Sequence, residues 1–205
     1  MAISAYADFL PAMQPRLPDC PEYLITQALQ LGGREFCIES ECNTQELTAI
    51  DSVADQKDYT VAAPSDYEIL RILQVRVRTK DEVTDGEDGT ILDPNKYEFE
   101  LQSLNLKFYA APFTEVITSG LVVEVVVAPE EDNDTLNAQF LQRWSAPIKA
   151  WALFYLYSIE GRTWSSTSLA SFYYDKFRRG VSYGRREAHV LYTSYKPRMQ
   201  APSFL

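Results

Sequence analysis

The chain has 205 residues, 46% hydrophobic and 23% charged, which suits one domain, or one domain with an insertion, and sets disorder aside as the default. Its formal net charge of -10 speaks against binding along a phosphate backbone by the molecule as a whole, because an acidic surface repels one. The charge is divided unevenly: from Leu136 onward ten Lys+Arg stand against three Asp+Glu, and the first 135 residues hold nine against 26, an asymmetry that suggests two surfaces with different partners.

The first 17 residues carry Pro11 and Pro15 and read as an irregular or short-helical arm. Asp19-Cys20-Pro21-Glu22 is a helix start, with Asp19 or Cys20 at the cap and Pro21 at the first helical position. The helix runs to about Glu39. Its apolar residues, among them Leu24, Ile25, Ala28, Leu29 and Phe36, cover more than one face, which predicts burial between neighbours. Gly32-Gly33 inside it marks either a local break or a close approach by another helix.

From Glu46 to Pro129 the period changes to two. Leu73, Val75 and Val77 alternate with polar residues, as do Tyr97, Phe99 and Leu101, then Leu104, Leu106 and Phe108. Leu121, Val123, Val125 and Val127 form one face of a last strand. With few helical residues between them, these strands build a mostly antiparallel sheet. Lys80 to Asn95, with Asp85-Gly86, Asp88-Gly89 and Asp93-Pro94, reads as a long acidic loop or hairpin tip.

An acidic turn at Glu130 to Asp134 precedes the next helix, with Asn133 or Asp134 as its cap. Leu136, Phe140, Trp144, Ile148, Trp151, Tyr155 and Ile159 then form the clearest helical stripe of the chain. Pro147 kinks this helix near Arg143 and Trp144, and Gly161 ends it. A second helix follows from about Ser166 to Ala188, with Leu169, Phe172, Tyr173 and Phe177 as its apolar face. Gly180 and Gly184 on that side leave room for a close neighbour. The pair is an antiparallel helix hairpin on which the first helix packs. His189 to Leu205, with Pro197 and Pro202, has no helical period and reads as an extended arm.

The fold class is therefore α+β, a helical core with an inserted, mostly antiparallel β-sheet and an extended C-terminal arm. The expected divisions are 1–45 (arm and helix), 46–129 (β domain), 130–188 (helix hairpin) and 189–205 (arm).

Residues with catalytic potential are sparse. His189 is the only histidine and lies at the start of the expected arm. Cys20, Cys37 and Cys42 are odd in number and irregularly spaced, and read as free thiols in a reducing compartment. A zinc site lacks its fourth ligand. Asp81, Glu82, Asp85, Glu87 and Asp88 match no calcium-loop spacing, and a solvated, self-repelling loop accounts for them. The expectation is no enzyme, no cofactor and no metal. A basic leader followed by an apolar stretch is missing, and the apolar run Ala146 to Ile159 is too short for a bilayer and interrupted by Pro147 and Lys149, so we expect a protein made in the cytoplasm with no membrane partner.

Two features point to partners. The basic set Lys176, Arg178, Arg179, Arg185 and Arg186 has three open readings: cations near a helix end, docking on an acidic protein surface such as another copy's first half, or nucleic-acid contact. Leu191, Tyr192, Tyr195, Met199, Phe204 and Leu205 make the arm apolar, and it inserts into a neighbour, folds back, or stays disordered.

Several segments, in this order, resemble the head-to-tail adaptor (head-completion or connector) proteins of tailed bacteriophages. They are Leu17-Pro18-Asp19-Cys20-Pro21 and Arg34-Glu35-Phe36-Cys37 at the first helix, and Asp58-Tyr59-Thr60-Val61 with Pro64 at the entry to the sheet. Leu106-Lys107-Phe108-Tyr109 with Pro112, and Gly161-Arg162-Thr163-Trp164-Ser165 with Leu169-Ala170 and Phe177, complete the series across roughly residues 17 to 180. Asn43 and Thr44 stand where such sequences often carry a tryptophan. The resemblance implies a structural virion protein at the head-tail junction. About a dozen copies would form a cyclic ring beneath the portal protein and contact a tail or nozzle protein, with DNA passing through the lumen without sequence-specific contact. Portal and subunit contacts would fall to Arg178, Arg179, Arg185 and Arg186 and to the arm residues Leu191, Tyr192, Tyr195, Met199, Phe204 and Leu205. The rival expectations are a tail-completion or tail-terminator ring, in which the sheet should dominate, and a small regulator that binds nucleic acid through its basic helix.

Overall fold

A computed structural model describes residues 3–131, 133 and 135–192. Among them, β1 (Ile3–Ala5), α1 (Leu10–Met13) with flanking 3-10 turns, α2 (Glu22–Ser40), α4 (Ala138–Ser158) and α5 (Thr167–Tyr192) form a helical part. Between them in sequence lie β2 (Thr44–Glu46), β3 (Asp58–Thr60), β4 (Tyr67–Val77), α3 (Lys80–Asp85), β5 (Thr90–Ile91), β6 (Tyr97–Glu100), β7 (Asn105–Phe108), β8 (Leu121–Pro129) and β9 (Thr135–Asn137). The class is α+β, with antiparallel sheets inserted into a helical core.

The helical core is a three-helix packing of α2, α4 and α5. Phe36 is its centre: its ring lies 5.1 Å from Trp144 on α4 and 6.4 Å from Phe177 on α5. The Gly32-Gly33 pair is a close approach and not a break. A Cβ on Gly32 would stand 2.9 Å from the Ile148 carbonyl oxygen, and one on Gly33 would collide with the ring of Tyr6. Tyr6, Met13 and Leu17 are buried in this core, so the short-helical segment from Tyr6 to Leu17 packs on it. Proline at 21 serves as the cap residue of α2, one position earlier than its spacing suggested.

Pro147 acts as expected on α4. Trp144 has φ -104° and ψ 15°, outside the helical range, where the proline ring displaces the preceding turn. The cap of α4 corrects the sequence expectation. Residues 135–137 pair with β1 as β9, which moves the helix start past Asn133 and Asp134 to Asn137. The Asn137 side-chain oxygen accepts from the amides of Gln139 at 2.9 Å and Phe140 at 3.3 Å.

The sheets run in the orders β2-β8-β4-β5 and β3-β7-β6. Leu121, Val123, Val125 and Val127 of β8 join Ile69, Val75, Leu106 and Phe108 in a second core. Val122 and Val126 are buried on its other side, and α2 packs against this strand. On β4 the register shifts twice against β8, between Ile69 and Arg71 and between Ile72 and Gln74. These bulges keep Ile69, Ile72 and Val75 on the core side and leave Leu73 only partly buried. The ring of Tyr67 packs against both cores and joins the two parts.

The segment from Lys80 to Asn95 is the hairpin alternative and not a plain loop: β5 pairs antiparallel with β4, and between them α3 starts at a capping box formed by Thr79 and Glu82. A further expectation is corrected: the α5 helix runs to Tyr192, so the extended arm cannot begin at His189. Residues 193–205 of that arm lie outside the described residues.

Candidate assembly surface

Helical geometry decides which α5 side chains are free. Ala170, Phe177, Val181, Gly184 and Ala188 recur at spacings of three to seven and form the buried line. Leu169, Phe172, Lys176, Arg179, Tyr183 and Arg186 follow at spacings of three and four on an outward face. Leu169 and Phe172, expected in the apolar core face, are instead 41% and 50% exposed, and Tyr183 is 61% exposed. Leu169 and Phe172 lie off the buried line, while the largely exposed Tyr183 ring rests 5.7 Å from the Trp144 ring of α4 at the edge of this face. The Lys176 ammonium lies 4.4 Å from the centre of the Phe172 ring, so cation and aromatic form one patch.

The four expected arginines divide into two pairs. Arg178 lies 3.5 Å from the Glu39 carboxylate on α2, and Arg185 lies 3.9 Å from it while also donating from Nε to the Glu39 carbonyl oxygen. Arg178 and Arg185 therefore tie α5 to α2. Arg179 and Arg186 are exposed and form no ion pair among the described residues. Leu191 and Tyr192 belong to the last turn of α5. Tyr195, Met199, Phe204 and Leu205 lie outside the described residues.

The β part carries an acidic tip. Thr79 Oγ1 accepts from the Glu82 amide at 3.3 Å, and Glu82 Oε2 accepts from the Thr79 amide at 2.6 Å. Those bonds hold the Glu82 carboxyl below its ordinary value. At the base of the tip the nearly buried Arg76 binds Glu46 and also Asp88, the latter at 3.4 Å. Val83 and Leu92 anchor the tip on the second core. Asp81, Asp85 and Glu87 remain exposed without an ion pair among the described residues, and Ile91 beside them is 61% exposed.

The thiols are poorly placed for nucleophilic work. Burial pushes the Cys42 thiol up to about 11 and the fully enclosed Cys37 thiol well above its ordinary value, opposite to what an activated cysteine needs. A groove of about 520 Å³ separates α5 from the sheet, lined by Glu41, Arg71, Arg185 and His189 among others. Among the described residues no group of three or more His, Cys, Asp or Glu is placed to hold a metal ion, and no helix is long and apolar enough to cross a membrane.

The capping box at Thr79 and Glu82 was visible in the sequence as Thr-x-x-Glu and is the signal that would have located α3. The pairing of Glu39 with Arg178 and Arg185 had no sequence signal, because 139 and 146 residues separate the partners. No protein-family model matches this sequence, and no curated protein matches it either.

Proposed function

We propose that this chain is a head-to-tail adaptor of a tailed bacteriophage: a structural virion protein that forms a ring beneath the portal, joins capsid to tail and lets DNA pass through. The observation that carries this reading is the outward face of α5. Leu169 and Phe172 stand exposed among cations, with the largely exposed Tyr183 at the edge against Trp144, on a helix whose other side carries Ala170, Phe177 and Val181 into the core. A face of that kind is stable in water only at some cost in exposed apolar area, and a neighbouring molecule removes that cost. The ordered series of adaptor-like segments between residues 17 and 180 supplies the kind of neighbour. The helical core with its own buried cluster also favours an adaptor over a tail terminator, in which the sheet should dominate.

The test is the mass of the full chain, alone and mixed with the portal protein encoded with it, by sedimentation or native mass spectrometry. A ring-sized species on the portal is the expected result. A protein that remains a monomer and ignores the portal overturns the proposal, and salt-sensitive DNA binding by that monomer would favour a nucleic-acid regulator instead.

A further inference from the structure

We infer that the ring contact is made by the acidic tip of one copy seated on the outward face of α5 in the next copy, an inference that rests on the adaptor reading above. A closed ring needs a head-to-tail interface, in which two different surfaces of the same chain meet. The structure supplies two such surfaces of opposite sign. One is α5, with Lys176, Arg179 and Arg186 set around Leu169, Phe172 and Tyr183. The other is the tip formed by α3 and β5, with Asp81 and Asp85 on α3, Glu87 in the turn after it, and the exposed Ile91 on β5.

Each surface combines exposed apolar side chains with exposed charges, the two ingredients of a protein interface. The charges match across the two surfaces and are not matched within the chain. Arg179, Arg186, Asp81, Asp85 and Glu87 form no ion pair among the described residues, whereas nearby Arg178, Arg185 and Asp88 do. The tip is also built to project and hold its shape. It is pinned at its base by Arg76, Val83 and Leu92 and packs extensively on no other element beyond β4. Rim charges of this kind set register and speed of association more than final affinity, which suits a ring that must close with every copy in the same orientation.

The experiment uses the full chain with its portal and reads ring formation by native mass spectrometry at low and high salt. Two variants reverse one side each: Arg179→Glu with Arg186→Glu, and Asp85→Lys with Glu87→Lys. Each is expected to weaken assembly about tenfold or more, and the combination of all four is expected to restore it. The neutral pair Arg179→Gln with Arg186→Gln should give a smaller loss that high salt no longer enlarges. Circular dichroism and melting confirm that each variant is folded, and the neutral pair carries the test if a reversed one is not. Wild-type-like assembly of either reversed variant overturns this contact while leaving the ring intact. Failure of the folded combination to recover does the same. A wild-type chain that never assembles overturns the adaptor reading and this contact with it.

Discussion

Gly180 of α5 lies directly against the ring of Pro147 in α4, so the kink made by the proline is filled by bare backbone from the facing helix. A Cβ at 180 would overlap the proline ring, which is rigid and cannot swing aside. Alanine is the better helix former by about 1 kcal/mol, yet overpacking costs about 1–3 kcal/mol, so the clash wins. Gly180→Ala should therefore lower the melting temperature by a few degrees. Adding Pro147→Ala should return part of that loss, because the two sites share one contact. A Gly180→Ala protein more stable than wild type would show that the helices are not held together at this point.

The cap of α4 allows a cleaner measurement. Asn137 accepts from two amides, and Asn137→Ala leaves both without a partner. The expected loss is about 1 kcal/mol in urea unfolding. Asn137→Asp keeps the acceptor and adds a negative charge at the helix start, so it should match or slightly exceed wild type. Equal losses in both variants would mean that the side chain matters through something other than its acceptor oxygen.

Where large side chains repeat, the fold was legible in the sequence. The helical stripe from Phe140 to Tyr155, the valines of β8 and the kink at Trp144 are where they were expected, while Leu136 lies in β9 and Ile159 ends the helix. Legibility failed where the packing is made by small residues or by distant backbone. On α5 the seam is formed by Ala170, Gly184 and Ala188 around Phe177 and Val181, so counting large apolar residues placed Leu169 and Phe172 inside when they are outside. The pairing of β1 with β9 joins three-residue segments 130 to 134 positions apart and leaves no periodic trace. The two bulges of β4 moved Leu73 out of an alternation that looked regular. The basic set was legible as a cluster, but its division into Arg178 and Arg185, tied to Glu39, and Arg179 and Arg186, left outward, depends on the angle of α5 over α2.

Stability should fall on the alkaline side. The fold holds the Cys42 thiol protonated up to about 11, against an ordinary value of 9.0, and burial raises Cys37 and Tyr6 in the same direction. The unfolded chain releases these protons earlier. The neutral groups thus contribute stability that is complete below about pH 9 and is lost as pH rises through about 11. Cys42 alone accounts for a change on the order of 2 kcal/mol. Urea midpoints at pH 8 and pH 10.5 should differ accordingly, and Cys42→Ser should narrow the difference. Identical midpoints at the two pH values would contradict the burial of these groups.

The boundary between fold and arm can be tested by cutting the chain after Tyr192. The α5 helix continues to that residue, so a cut at His189 would remove the last turn of the helix as well as the arm. A chain ending at Tyr192 keeps every described element, and its melting temperature should stay within about 2 °C of the full chain, because no buried contact among the described residues is lost. Portal attachment should disappear, since the truncation removes Tyr195, Met199, Phe204 and Leu205 from a segment with the apolar content of an inserted strand or hook. The contact inferred above lies on α5 and the acidic tip, both of which the shortened chain keeps, so tip-to-α5 association should survive wherever it can be measured apart from the portal. Attachment at wild-type strength by the shortened chain would move the portal contact onto the described surface and leave the tail without an assigned role.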